Sequence, residues 1–294
     1  MRYDITLRVD YAYDFASDQA RNLLHLLPRV VPGRQGVVAS LLTVDPAPQE
    51  RWDGLDFFGN GATWIAYHEP IDSISLSLKA QTVQTTPAMG MDLSPRLAGL
   101  EAEIGACQDL GPEAPHHFLG RSARVAPDPE MTAFARDHAG AGQSALQAVQ
   151  AVGGALHREM AFDAAATDAR TPTAEAFAQR RGVCQDFSHV MIACLRGLGI
   201  PAGYVSGFLR TLPPPGQPRL EGADAMHAWV RAWCGSDMGW VEFDPTNDTF
   251  VRDDHIVVSY GRDYADVAPV RGTLRSTGGQ HTEHAVDVVP LDPA

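Results

Sequence analysis

The segment Arg181-Gly182-Val183-Cys184-Gln185-Asp186-Phe187-Ser188-His189-Val190-Met191-Ile192-Ala193-Cys194-Leu195-Arg196-Gly197-Leu198 decides how the chain is read. Phe187, Val190, Met191, Cys194, Leu195 and Leu198 recur at helical spacing, so a helix is predicted over 184–198 with one apolar face. Cys184 stands at its first turn. A thiol there meets free backbone N–H groups and the positive end of the helix dipole, a setting that favours a thiolate. Taken alone, the segment reads more readily as holding a structural cysteine, because free Cys is among the most buried residue types.

Two stretches downstream change that balance. Asp224-Ala225-Met226-His227-Ala228-Trp229-Val230 alternates as a strand, with His227 on the face of Trp229, Arg231 and Trp233. Gly239-Trp240-Val241-Glu242-Phe243-Asp244-Pro245-Thr246-Asn247 reads as a second strand ending at Asp244. A nucleophilic thiol needs an imidazole to pair with and to shuttle its proton, and the imidazole needs a carboxylate or amide to fix its tautomer. A Cys on a helix start, a His on one strand and an Asp on the next supply all three roles.

Upstream, residues 3–13 alternate strictly. Tyr3, Ile5, Leu7, Val9, Tyr11 and Tyr13 share one face. Further strands are expected at 36–44, 62–68 and 71–83, separated by turns at Pro46–Pro48 and Gly59-Asn60-Gly61. Residues 1–86 therefore read as an all-β, sandwich-like domain. Residues 87–127 are weakly patterned and proline-bearing, a connecting segment. Residues 128–294 read as the catalytic domain, with helices near 128–138, 142–160, 172–180 and 184–198. Strands follow at 202–211, 225–234 and 238–244, with a last alternating run near 282–289. The class is α+β. Pro213-Pro214-Pro215-Gly216 is expected to form a loop overhanging the site.

Composition narrows the function. The 294 residues carry a formal net charge of −13, with 45% hydrophobic and 20% charged residues, as in a globular protein. This acidity argues against a nucleic-acid partner, which needs clustered cations. It is spread along the chain rather than gathered at one place. Lys79 is the only lysine, so Schiff-base and phosphate-loop lysine chemistry is excluded from the rest of the chain. Cys107, Cys184, Cys194 and Cys234 form neither a disulfide framework nor a zinc-finger spacing. The N-terminus is charged throughout, and no apolar run approaches the roughly 18 residues of a membrane span. A cytoplasmic protein without membrane partner, cofactor or metal is expected.

The segments GVCQDFSHVMIACLRGLGIPAGYVSGF, MHAWVRAW and GWVEFDPTN resemble the core of the bacterial transglutaminase-like family, which belongs with the papain-like cysteine enzymes. Residues 1–86, including Asp56-Phe57-Phe58-Gly59-Asn60, resemble its N-terminal β domain, and Gly261–Gly272 resembles its C-terminal signature. The resemblance implies Cys184 as nucleophile, His227 as base and Asp244 as orienting acid. It implies acyl transfer on a peptide or protein substrate through a thioester, with hydrolysis of peptide or isopeptide bonds favoured. Crosslinking by amine transfer is the runner-up, and an inactive scaffold the third reading.

Register offers an independent expectation. In a regular hairpin in which Cys234 pairs with Trp240, paired numbers sum to 474 and Asp244 points away from His227. One extra residue makes the sum 473 and puts Asp244 opposite Trp229, diagonal to His227 at about 7–8 Å between backbone positions. A bulge or irregular turn is therefore predicted. The Cys184 N–H is the expected first oxyanion donor; the second is unassigned, Gln185 being adjacent. Cys107, Cys194 and Cys234 are expected to pack, His189 to take a structural or solvent role, and His116, His117, His281 and His284 to lie at the surface. Trp229 and Trp233 are expected beside the cleft, and Arg262–Asp266 in an ion-paired turn.

Overall fold

The computed structural model describes every residue except 18, 86–89, 169, 212–221, 223, 276–277 and 292–294. Pro87 and the proline loop at 213–216 lie outside the described residues. Six strands come first: β1 (Arg2–Ser17), β2 (Gln19–Leu24), β3 (Gln35–Asp45), β4 (Glu50–Leu55), β5 (Gly61–Tyr67) and β6 (Ile71–Gln84). In β1, Tyr3, Ile5, Leu7 and Val9 are buried while Asp4, Thr6 and Arg8 are exposed, the period of two that the sequence shows. β2 and β4 are short and escape the pattern.

The helical part holds α1 (Leu97–Ala106), α2 (Pro129–His138), α3 (Ala145–Glu159), α4 (Thr173–Gln179) and α5 (Cys184–Gly197), with β7 (Ala161–Phe162) and β8 (Arg181–Gly182) forming a small parallel pair. Local chemistry sets the helix starts. Asp128 accepts from the N–H groups of Glu130 and Met131, and Ser144 with Gln147 makes a reciprocal capping box. Then come β9 (Ala202–Leu209), β10 (Ala225–Trp233), β11 (Trp240–Asp244), β12 (Thr249–Phe250), β13 (His255–Gly261), α6 (Tyr264–Val267), β14 (Val270–Arg275) and β15 (Gln280–Pro290).

Three larger sheets organise these elements. Two four-stranded sheets, β15-β1-β6-β3 and β14-β2-β5-β4, form the N-terminal sandwich around Tyr3, Ile5, Leu7, Leu76, Leu78 and Tyr67. A five-stranded antiparallel sheet, β12-β11-β10-β9-β13, packs against the helices through Val190, Met191, Leu195, Val230 and Phe243. Two parts of the expected division are redrawn. Residues 270–275 and 280–290, assigned from sequence to the catalytic domain, pair with β2 and β1 in the sandwich. The connecting segment contains α1, whose Leu100 and Ile104 enter the helical core. Neither is visible to periodicity, which reports that a segment is a strand or a helix but not which sheet or core it joins.

β13 is the outer strand of the five-stranded sheet, and an unpaired strand edge must be covered. The sandwich covers it with two side-chain amides. Gln35 Nε2 donates to the Val257 carbonyl at 2.7 Å while Gln35 Oε1 accepts from the Val257 N–H at 2.8 Å. Asn60 repeats the device on Tyr260, with both bonds at 2.8 Å. Arg34 adds an ion pair to the buried Glu242, which also accepts from Trp229 Nε1 and the Tyr260 hydroxyl. Replacing Gln35 or Asn60 by alanine strands a buried backbone donor, so each change should cost about 1–3 kcal/mol. Urea unfolding of each variant checks this; an unchanged midpoint would show that water replaces the amide freely.

Candidate active site

The first turn of α5 is shaped by a side chain that folds back on it. Asp186 Oδ2 accepts from the Val183 N–H at 2.8 Å and from the Thr167 hydroxyl at 2.6 Å. This needs a bare backbone at Gly182, where a Cβ would lie 2.5 Å from the Asp186 carboxylate. Cys184 is thereby set as the first helical residue, half-buried against the helical core. Among the described residues, the N–H groups of Cys184 and Gln185 have no acceptor. They are the free donors every helix start leaves.

Across from it, the hairpin of β10 and β11 has the irregular register. Val230 pairs with Phe243, Arg231 with Glu242, Ala232 with Val241 and Trp233 with Trp240. The Cys234 N–H donates to the Gly239 carbonyl, so Gly235–Met238 form the turn, with φ of +94° at Gly235 and +68° at Gly239. Each pair sums to 473. Asp244 consequently points to the His227 side, and His227 Nε2 lies 2.8 Å from Asp244 Oδ2. The other ring nitrogen is free of Asp244, and the neighbouring Cys184 thiol helps to raise the His227 pKa. The structure thus brings Cys184, His227 and Asp244 together.

Electrostatics follow from that contact. Burial alone would lower the His227 pKa, but hydrogen bonds to Asp244 and Cys184 outweigh it and raise it to about 10. Asp244 has no exposed surface. Burial pushes its carboxyl up, yet hydrogen bonds from His227 and His255 hold it well below the usual carboxylate range. The Asp-Pro-Thr-Asn turn completes its shell. Asp244 Oδ1 accepts from the N–H groups of Thr246 and Asn247, and Asn247 Nδ2 donates to Oδ2 at 2.7 Å.

His255, which the sequence reading did not single out, opens β13 and lies 3.2 Å from Asp244 Oδ2 through Nε2. Its Nδ1 accepts from the Arg252 N–H, which leaves the proton on Nε2, facing the carboxylate. The sequence offers only an apolar stretch, Ile256-Val257-Val258, directly after it, and no strand is expected there. His227, Asp244 and His255 are also the one group among the described residues with the donor types to grip a metal ion. Their separations of 2.8 and 3.2 Å are those of hydrogen bonds. Tetrahedral zinc ligands at about 2.0–2.1 Å from the metal would stand roughly 3.3 Å apart.

The remaining candidates take structural places. His189 is buried, accepts from the Tyr264 N–H, and has its pKa lowered to about 4 by burial. Cys194 and Cys234 are buried, each thiol pushed up to about 12 by desolvation; Cys107 is half-buried. Trp229 packs 6.1 Å from the His227 ring, and Trp233 enters the helical core. His116 and His117 are half-buried, while His281 and His284 are exposed. Arg262 makes a two-pronged ion pair with Asp266, and Asp263 caps α6. Tyr204, a fully buried residue unmentioned by the sequence reading, has its hydroxyl pKa raised by burial and by the neighbouring Cys184.

Comparison with known proteins agrees with this arrangement. Residues 132–245 match the model of the transglutaminase-like superfamily core, and residues 3–83 match that of the bacterial transglutaminase-like N-terminal region. An uncharacterized protein of Mycobacterium tuberculosis is 34% identical over 303 residues, spanning 99% of this chain and 93% of its own. One from Mycobacterium leprae is 29% identical, with 96% of each chain covered. A solved structure from Cytophaga hutchinsonii, described as a candidate cysteine protease, superposes with a TM-score of 0.76. It is 20% identical and covers all of this chain and 92% of its own, a likeness of fold.

The His227 shift makes a pH prediction. A pKa raised from 6.5 to about 10 on folding gives stability that is complete below 6.5 and is lost as pH rises through about 10. The stability gap between wild type and His227→Gln should therefore be wide at pH 6 and narrow at pH 10. Urea melts at both pH values measure it; a constant gap would mean that His227 is not held protonated.

Proposed function

The chain belongs to the bacterial transglutaminase-like family, and on that footing we propose that it is a cysteine-dependent acyl-transfer enzyme that hydrolyses peptide or isopeptide amide bonds. The observation that carries the reading is one imidazole shared between Asp244 at 2.8 Å and the Cys184 thiol. In this mechanism the Cys184 thiolate attacks the amide carbonyl carbon. The negative charge that develops on oxygen is met by backbone N–H donors at the start of α5, those of Cys184 and Gln185 being unclaimed. His227 gives its proton to the leaving nitrogen as the C–N bond breaks, and a thioester remains. Water then attacks the thioester, His227 takes its proton, and the thiol is released with the acid product. Asp244 keeps the imidazole oriented and stabilises its charged form throughout.

No helix among the described residues is long and apolar enough to cross a membrane. A cytoplasmic address belongs to the same reading, because a thiol nucleophile must stay reduced and all four cysteines are free.

Iodoacetamide should modify Cys184 ahead of the buried Cys194 and Cys234, and His227→Ala should erase that preference. In a peptide-library assay Cys184→Ala should abolish turnover, and Asp244→Asn should slow it by on the order of 10³–10⁴-fold. His255→Phe, which removes one donor to Asp244, should cost roughly tenfold. Free acid product with no uptake of a labelled primary amine is the expected outcome. Amine incorporation into glutamine peptides would replace hydrolysis by crosslinking, and slow, equal labelling of all cysteines would favour a scaffold.

A further inference from the structure

A cavity of about 600 Å³ opens between the sandwich and the catalytic part. Its walls include Arg124, Arg170, Arg271, Tyr11, Tyr13 and Tyr264, and no Asp or Glu among the described residues lines it. In a chain with 36 acidic against 23 basic residues, such a lining runs against the overall charge. A larger cavity of about 890 Å³ on the sandwich follows that charge: Asp10, Asp45, Glu69, Asp72 and Glu283 line it with Arg8.

The donors in the basic cavity are unspent. Among the described residues, neither the Arg124 nor the Arg170 guanidinium has an acceptor, and the hydroxyls of the three tyrosines have none either. The Asp168 carboxylate, in the same turn, feels the Arg170 charge but takes its hydrogen bonds from backbone N–H groups and the Thr171 hydroxyl. The Arg271 guanidinium uses one N–H on the Ala265 carbonyl. Tyr13 and Tyr264 both raise the Tyr11 pKa, so the hydroxyls gather in one place. They are O–H donors at neutral pH, as an anion requires.

Cys184 does not line the cavity, but two routes connect the cavity wall to it. Tyr264 stands 6.1 Å, ring to ring, from Tyr204, whose hydroxyl feels the Cys184 thiol. The loop that carries Arg170 is tied to the first turn of α5 by the bond from Thr167 to Asp186. We infer that this cavity is an anion subsite which binds carboxylates of an acidic peptide beside the bond to be attacked. Its role in substrate selection rests on the acyl-transfer reading above; its capacity to bind an acidic peptide does not. Guanidinium groups meet carboxylates in paired, charge-assisted hydrogen bonds, and the overall charge of −13 makes a local basic site necessary for such a substrate.

Calorimetric titration of the full-length Cys184→Ala protein tests this without turnover. Three hexapeptides serve as probes: a glutamate-containing one with blocked ends, its all-glutamine counterpart, and a glutamine peptide with a free C-terminal carboxylate. At least one of the two anionic peptides should bind roughly tenfold or more tightly than the blocked neutral one. Preference for the first assigns side-chain carboxylates, and preference for the last assigns the terminal carboxylate. Arg170→Gln, at an exposed residue with no internal side-chain bond, should weaken anionic binding roughly tenfold, and Arg124→Gln with Arg170→Gln more, with the circular dichroism unchanged. Equal binding of charged and neutral peptides, or unchanged affinity in the double variant, overturns the proposal. Charge-selective binding by a protein that cleaves nothing would defeat the enzymatic reading and leave the subsite standing. Cleavage indifferent to charge would leave the enzymatic reading standing and overturn the role of the cavity in substrate selection.

Discussion

A carboxylate with no exposed surface is a liability in an acidic protein, and the site is organised around holding one. Taking a carboxylate out of water costs several kcal/mol unless its lone pairs are answered. Asp244 has both oxygens answered. Oδ1 takes two N–H groups of the turn that follows it, and Oδ2 takes His227, His255 and Asn247. Each donor comes at a structural condition. Pro245 must end the strand so that Thr246 and Asn247 turn back. The β10–β11 register must sum to 473. β13 must begin at His255. A failure of any one leaves a buried charge underpaired, so the condition for a stable fold and the condition for a poised imidazole coincide.

That coupling draws the sandwich into the site. β13 has one free edge, and Gln35 and Asn60 occupy it as if they were two residues of a further strand. Arg34 neutralises Glu242, which in turn anchors the indole of Trp229 beside His227. Glu242 is buried, and burial would raise its pKa; the Arg34 charge and three hydrogen bonds keep it lowered. The β domain thus fixes the strand that delivers His255 and the ring that packs against His227. It supports the candidate site from behind and does not merely accompany it.

The parts of this arrangement that can be read from sequence are those written in short-range periodicity. The α5 stripe, the alternation of β1 and β6, and the strands bearing His227 and Asp244 are all visible because one face of each element is buried. The odd register of the hairpin was accessible too, since a side-chain period of two makes an even or odd turn decide which way Asp244 points. His255 was not accessible. It follows Arg252-Asp253-Asp254, a stretch that reads as loop, and its role depends on a long-range contact with a strand already assigned. Gln35 and Asn60 are hidden for a similar reason: an amide that replaces a backbone partner leaves no pattern in its own neighbourhood. The destinations of β14 and β15 were likewise invisible, because any half-buried strand alternates in the same way whichever sheet receives it.

Those two strands carry a consequence for how the site forms. β15 covers one side of β1 along its length, from Tyr3 against Pro290 to Tyr13 against Gln280, and β14 covers β2. Without them both sheets of the sandwich would end in long unpaired edges, and Val286 and Val288 would be missing from its core. The sandwich is therefore complete only when the C-terminal residues have returned across the molecule, a pairing of very large sequence separation with a correspondingly large loop-closure cost. Gln35 and Asn60 are presented by that sandwich, and His255 by the strand they cap. The last donor to Asp244 is thus secured by the same closure that completes the N-terminal domain, which makes the poised imidazole a property of the whole chain and not of residues 132–245 alone.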